Sequence, residues 1–235
     1  MDFTNILVSL FTLTILEVIL GVDNLVFLSI TSSRLPLAQQ KTARRLGLLF
    51  ALFTRLIFLA SVVWIIGLTK PLFTIMQQSF SVRDLFLILG GLFLLYKATV
   101  EIHHEFESST PEKTQAKYSS FLAVVTQIVI LDIIFSLDSI LTAIGLTQHY
   151  FVMATAIIIA IILMIICSEP LSRFINAHPT VRMLALSFLL LIGVVLVADG
   201  FHYHIPRAYI YCSICFSLLV EVLNMLRQRK MQKKS

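Results

Sequence analysis

Charge is scarce in this sequence. Asp, Glu, Lys and Arg make up 13% of the 235 residues, hydrophobic residues make up 58%, and the mean hydropathy is +0.93. A water-soluble domain carries about 25% charged residues, and a chain of this length has no core large enough to hide such an apolar excess. Lipid therefore solvates much of the surface, which excludes a soluble protein of one or two domains. Cysteine is nearly absent too: Cys167, Cys212 and Cys215 all fall in apolar stretches, which excludes a disulfide framework. Cys212-Ser-Ile-Cys215 has the spacing of a redox or metal pair, but inside an apolar helix it reads as a packed face. The start, Met1-Asp2-Phe3-Thr4-Asn5, lacks a basic n-region and no small-residue cleavage site follows, so the first apolar run is expected to be a mature span. No hydrolase elbow, Walker A loop, zincin helix or Gly-rich dinucleotide turn is present, and nothing points to an enzyme or a bound cofactor. The formal charge of +5 does not signal nucleic acid, because the basic residues lie between apolar runs and at the C-terminus.

What is present is a series of apolar runs. A span needs about 20 residues, and seven stretches qualify: Ile6–Ile30, Leu46–Leu68, Asp84–Val100, Ser120–Leu146, Phe151–Cys167, Met183–Asp199 and Ala208–Leu226. Punctuation falls between them, at Arg34-Leu35-Pro36, Lys70-Pro71, Ser109-Thr110-Pro111, His178-Pro179 and Ile205-Pro206. With the N-terminus outside, Arg34, Lys41, Arg44, Arg45, Lys113, Lys117, Arg173, Arg182, Arg227, Arg229, Lys230, Lys233 and Lys234 share the second side. Only Lys70, Arg83 and Arg207 share the first, a ratio of thirteen to three. Cytoplasmic loops carry the excess of Lys and Arg, so the N-terminus is expected outside and the basic tail in the cytoplasm.

Residues 15–25, Ile-Leu-Glu-Val-Ile-Leu-Gly-Val-Asp-Asn-Leu, match residues 130–140, Ile-Leu-Asp-Ile-Ile-Phe-Ser-Leu-Asp-Ser-Ile, at a constant shift of 115. Spans one and four are an odd number of crossings apart and so run in opposite directions. Weaker support comes from Gly90-Gly91-Leu92-Phe93-Leu94-Leu95 against Leu191-Ile192-Gly193-Val194-Val195-Leu196. The expected fold is an all-α membrane protein with seven transmembrane helices, arranged as two inverted three-helix repeats plus a C-terminal helix. It forms a single domain over residues 1–230, with repeat one at 6–100, repeat two at 120–199, a seventh helix at 208–226 and a basic tail at 231–235. Inverted repeats place a site near the bilayer midplane, between the halves.

The repeated segment carries Glu17, Asp23, Asp132 and Asp138. Each acid at a span centre costs about 2.5–3.5 kcal/mol on an insertion scale, so the four must face the interior, a cavity or one another. Carboxylates gathered together repel, and a divalent cation relieves that repulsion. In a straight helix, residues seven apart nearly align while residues six apart diverge by about 120°. Glu17 thus aligns with Asn24 and Asp132 with Ser139. Helix breaks at Gly21 and Ser136 are expected to bring Asp23 and Asp138 to the same ion. An oxygen-rich site of this kind suits Mn²⁺, Mg²⁺ or Ca²⁺. The competing structural reading pairs the acids with intramembrane cations, Arg55 and Lys97, with Asp199 a further partner for either; Arg55 also suits a gate or relay. His202-Tyr-His204 on the outer side, and His103-His104 with Glu101, Glu105 and Glu107 on the inner side, read as interfacial polar residues or metal vestibules. Glu221 is expected to snorkel or to pair with Arg227.

Glu17-Val-Ile-Leu-Gly-Val-Asp23-Asn24 and Asp132-Ile-Ile-Phe-Ser-Leu-Asp138-Ser139 resemble the TerC family of integral membrane proteins, and among them the short bacterial members of the YgdQ type. Supporting stretches are Arg44-Arg45-Leu46-Gly47-Leu48, Gly90-Gly91-Leu92-Phe93, residues 178–188 and residues 205–211, so the resemblance covers nearly the whole chain. It implies a seven-span fold similar to the LysE exporter superfamily, in a bacterial inner membrane, with a role in divalent metal homeostasis. It also implies a metal site of Glu17, Asp23, Asn24, Asp132, Asp138 and Ser139. Asp199 departs from the pattern, where Glu is expected, and the Phe201-His-Tyr-His stretch is unusual. The expected activity is export of Mn²⁺ or a similar cation, driven by proton exchange on the acids. The partners are then the bilayer and divalent metal ions, with protein partners unspecified. Two alternatives stand beside it. One is a membrane scaffold in a stress complex of the tellurium-resistance type, its acids structural; the other is an intramembrane hydrolase using an Asp pair.

Overall fold

The computed structural model describes residues 3–61, 71–75, 78–107, 120–146 and 149–232. These form seven helices: α1 (Phe3–Ser32), α2 (Leu37–Ala60), α3 (Val82–Glu107), α4 (Phe121–Leu146), α5 (Tyr150–Ala177), α6 (Pro179–Gly200) and α7 (Arg207–Gln232). One hairpin, β1 (Pro71–Ile75) with β2 (Gln78–Ser81), precedes α3. Among the described residues, five helical stretches are long and apolar enough to cross a membrane: Thr4–Ser32, Val82–Phe106, Tyr150–Ala177, Pro179–Gly200 and Ala208–Arg227. The described apolar part of α4 is shorter, Phe121–Ser136. In α2, Lys41, Arg44, Arg45 and Arg55 interrupt the apolar run.

Several boundaries differ from the sequence expectation. The second span was predicted over Leu46–Leu68. The helix instead begins at Leu37, directly after Pro36, whose fixed φ suits a helix start; residues 62–68 lie outside the described set, as do Lys70, Lys113, Lys117, Lys233 and Lys234. Pro71 opens a strand rather than a plain connector, so the described part is not purely helical. The antiparallel hairpin is closed by stacking of Phe73 on Phe80, ring centroids 5.7 Å apart. Ser81 then caps α3: its Oγ accepts from Asp84 N–H at 3.2 Å and its own N–H donates to Asp84 Oδ2 at 2.8 Å, satisfying two donors that a helix start otherwise leaves free. α5 continues past Cys167 and through Pro170 to Ala177, ten residues beyond the predicted span. The breaks at His178-Pro179 and Ile205-Pro206 fall where the prolines put them.

No break occurs at Gly21 or Ser136. Both α1 and α4 are continuous there. Gly21 answers to packing: a Cβ at this position would meet Met164 Sδ at 2.5 Å. Ser136 stays helical because its Oγ–H donates back to the Ile133 carbonyl at 3.1 Å, a bond that a continuous helix accommodates.

The chain divides into two compact units, Met1–Phe86 with Thr114–Phe174, and Leu87–Lys113 with Ile175–Ser235. In the first, α1, α2 and α4 pack against one another. The inward face of α2 is a stripe at four-residue spacing, Ala43, Gly47, Ala51, Arg55 and Leu59, all buried. The small residues let α4 come close: a Cβ on Gly47 would lie 2.7 Å from Ile128 Cγ2. In the second unit α6 packs on α7, and α3 crosses α6 where Gly91 meets Gly193. A Cβ on Gly91 would lie 2.7 Å from the Gly193 carbonyl oxygen and 2.9 Å from Val197 N. Arg182 of α6 pairs with Glu105 of α3 at 3.2 Å. Glu221 accepts a hydrogen bond from Thr180, replacing the expected partner Arg227. Most of α7 is exposed, Cys212 and Cys215 included, so the CxxC pair is not a packed face; all three cysteines are free.

Candidate functional site

Within the first unit, the inward stripe of α2 delivers Arg55 to the seam between α1 and α4. Its side chain is 2% exposed, and Glu17 and Asp132 are buried on either side. Arg55 Nη1 donates to Glu17 Oε2 at 2.7 Å and Nη2 to Asp132 Oδ1 at 2.9 Å. Asn24, two turns along α1 from Glu17, donates its amide N–H to the same Asp132 Oδ1 at 3.2 Å. The predicted alignment of Glu17 with Asn24 therefore holds, and it holds because α1 does not break. The guanidinium fork suits this arrangement: its planar N–H groups can bridge two carboxylates on two helices.

The triad leaves part of its polar capacity unused. Glu17 Oε1, Asn24 Oδ1 and Asp132 Oδ2 are buried, and none has a hydrogen-bond partner among the described residues. Buried polar atoms are ordinarily paired, and each unpaired one costs about 1–3 kcal/mol. Beside Asn24 and Asp132 lies a cavity of about 10 Å³, lined also by Leu28, Gly47, Ala51 and Leu131. That volume is of the order of a single water molecule.

The other predicted site residues are placed differently. Asp23 is half-buried, about 100° around α1 from Asn24. The backbone of Asp138 continues α4, and its side chain lies outside the described residues. Ser139 is buried, but its Oγ–H donates to the Ser136 carbonyl at 3.2 Å, a local helix bond. Lys97 and Asp199 belong to the second unit, where Lys97 is half-buried and His204 Nδ1 lies 3.6 Å from Asp199 Oδ1. Among the described residues no group of three or more His, Cys, Asp or Glu is placed to hold a metal ion, and this includes both histidine clusters. The His103 and His104 rings lie 6.4 Å apart and are tilted by 50°, and His204 is largely exposed. Of the expected counter-ions, Arg55 is the one seen to bridge the acids.

Sequence reasoning missed a second buried cation. Arg44, counted among the loop charges, is 4% exposed. Its Nη2 donates to Glu169 Oε2 at 2.6 Å, and Nη1 donates to Ser32 Oγ and Ser172 Oγ at 3.2 and 3.1 Å. Arg173 reaches the other Glu169 oxygen at 3.2 Å. The signal was available: Arg44 and Arg55 are eleven residues apart, three helical turns to within about 20°, so a helix carrying Arg55 inward carries Arg44 inward too. Glu169 was hidden by ending span five at Cys167. Replacing Glu169 with Ala is expected to destabilise the protein by about 1–2 kcal/mol, below the value for a fully buried pair because Glu169 is 30% exposed. Glu169→Gln, which keeps an acceptor for Arg44, is expected to lose about half as much. Equal thermal midpoints for wild type and Glu169→Ala in detergent would show that the Arg44 cluster contributes nothing.

A helical membrane protein with a cation bridged between acids on different helices is the class that the fold and this geometry define. Residues 3–235 match the integral membrane protein TerC family, and the chain belongs to it. Three Escherichia coli K12 relatives are similar over almost all of its length. The inner membrane protein YgdQ is 49% identical over 226 residues, 96% of this chain and 95% of YgdQ. YoaE, also described as an inner membrane protein, is 51% identical over 226 residues, and YegH is 49% identical over 223. The chain spans 44% of YoaE and 42% of YegH, less than half of either. No solved structure matches significantly. The protein is a multi-pass inner-membrane protein.

Proposed function

We propose that this protein is a transporter of a hard divalent cation, exporting Mn²⁺ or an ion of similar charge and size. The observation that carries the reading is the set of three buried oxygens without partners, Glu17 Oε1, Asn24 Oδ1 and Asp132 Oδ2. They come from two helices that bear the repeated acidic segment, and Asn24 and Asp132 line a cavity of about 10 Å³. Carboxylate and amide oxygens are the donors that Mn²⁺ and Mg²⁺ prefer. Asp23, Asp138 and Ser139 lie on the same two segments and would join the ligand set only if α1 and α4 unwound locally around the ion. The two inverted halves fit the composition of the compact units. The first unit draws on the first two helices of each half, and the second on the third helix of each. Alternating access then moves one half against the other around a midplane site.

A second reading has an observation of its own. Glu17 and Asp132 are both ion-paired with Arg55, as purely structural acids in a membrane scaffold would be. Flux separates the two. Protein reconstituted in vesicles should move Mn²⁺ down an imposed gradient, and Glu17→Gln or Asp132→Asn should lower the rate by about tenfold or more, since removing a ligating carboxylate removes binding energy of that order. A deletion strain under manganese stress should accumulate the metal. Wild-type flux in Asp23→Asn, Asp132→Asn and Asp138→Asn alike, with unchanged metal content in the deletion strain, would leave the scaffold reading in place.

A further inference from the structure

We infer that Arg55 is a tethered cation that exchanges with the transported divalent ion, so that its guanidinium and the ion compete for Glu17 and Asp132. This rests on the transporter reading above and assigns the step that sets its affinity.

When both are ionised, Glu17 and Asp132 carry two negative charges, and a single guanidinium balances only one of them. It engages one oxygen of each, Glu17 Oε2 and Asp132 Oδ1, leaving the second oxygen of each carboxylate buried and, among the described residues, unpaired. One divalent ion balances both charges and can take all of these oxygens, together with Asn24 Oδ1. Lodged between the acids, Arg55 holds the place that the ion requires. The two states are therefore mutually exclusive at Glu17 and Asp132.

The choice of arginine strengthens the case. A lysine buried here could free the acids by losing its proton, whereas an arginine stays charged in a protein. The acids become available only when the guanidinium withdraws from them. Its Nε makes no hydrogen bond, so the Arg55 head is held through Nη1 and Nη2 alone. Along the stripe of α2 next to Arg55 stands Ala51, a small neighbour that also lines the cavity against Asn24 and Asp132. Binding the ion thus costs the breaking of two charge-assisted hydrogen bonds, and the same two bonds re-form as the ion leaves. The exchange keeps affinity moderate and supplies a release step, which a carrier needs and a storage site does not.

The test measures Mn²⁺ binding to purified full-length protein in lipid nanodiscs, with Mn²⁺ alone as the probe, followed by the spin resonance signal of the free ion. Arg55→Gln should bind Mn²⁺ about tenfold or more tightly than wild type, because no cation has to be displaced first. Its vesicle flux should fall even as binding tightens. Arg55→Lys should bind about threefold more tightly, since an ammonium is a point charge and cannot fork across both carboxylates. Asp132→Asn serves as the control that removes the site. Wild-type or weaker affinity in Arg55→Lys and Arg55→Gln, with binding lost in Asp132→Asn, overturns the exchange and leaves the site intact. Should Arg55→Gln not fold, Arg55→Lys decides alone. If Asp132→Asn binds as wild type does, the site itself is wrong, and the exchange falls with it.

Discussion

Arg55→Met, in the absence of divalent metal, is expected to destabilise the protein by about 3–5 kcal/mol, the cost of leaving buried charges uncompensated. Two carboxylates lose their shared partner at once, and neither has a second cation partner among the described residues. The stability should return in large part when all three charges go together, in Glu17→Gln/Arg55→Met/Asp132→Asn. Replacing a whole buried ionic group by neutral residues of similar volume is often neutral or stabilising, whereas removing one member is not. Thermal midpoints in detergent micelles, for the single and triple variants without metal, provide the measurement. A triple variant less stable than Arg55→Met would mean that the triad holds the helices together outright. Added Mn²⁺ should then raise the midpoint of Arg55→Met more than that of wild type, because ligand binding to the folded state stabilises it in proportion to affinity.

The other large effect is expected at the glycine crossing of α3 and α6. Gly91→Val should cost about 3 kcal/mol, at the upper end for overpacking. Its new Cβ would meet main-chain atoms, the Gly193 carbonyl oxygen at 2.7 Å and Val197 N at 2.9 Å, and neither can move without moving a helix. Gly21→Ala offers the contrast. There the added carbon meets only the Met164 thioether, at 2.5 Å, and a methionine side chain has rotamers to spare, so a loss of about 1 kcal/mol or less is expected. Equal midpoints for the two variants would show that the crossing is looser than the backbone distances require. Close backbone approach through small residues is a common means of joining helices in lipid, where apolar surface alone gives no preference for a neighbouring helix over the bilayer.

Legibility in the sequence divided along physical lines. The helices could be read because a membrane demands long apolar runs, and their ends because Pro36, Pro179 and Pro206 interrupt or begin helices by local geometry alone. The hairpin at 71–81 could not, being short, flanked by apolar runs and held by one aromatic stack. Glu17, Asn24 and Asp132 stood out because polar groups in a span must have a reason. The predicted break at Gly21 was wrong for a reason outside its own helix, since the glycine makes room for Met164 on α5, and the one at Ser136 because the hydroxyl bonds back within its own helix. Arg44 was misread because a basic residue near a predicted span end looks like a topology signal, and only packing reveals Ser32, Glu169 and Ser172 around it.

By itself, the sequence determined that this protein lives in a membrane and that acids repeat at a shift of 115 on two of its helices. It also determined that Glu17 and Asn24 share a face. These follow from composition and helical period, which are local properties. Only the tertiary structure decided that Arg55, from a third helix, closes the gap between Glu17 and Asp132, because a bridge across three helices depends on how they pack. It also decided which oxygens that bridge leaves without partners, since an unsatisfied atom is defined by everything around it.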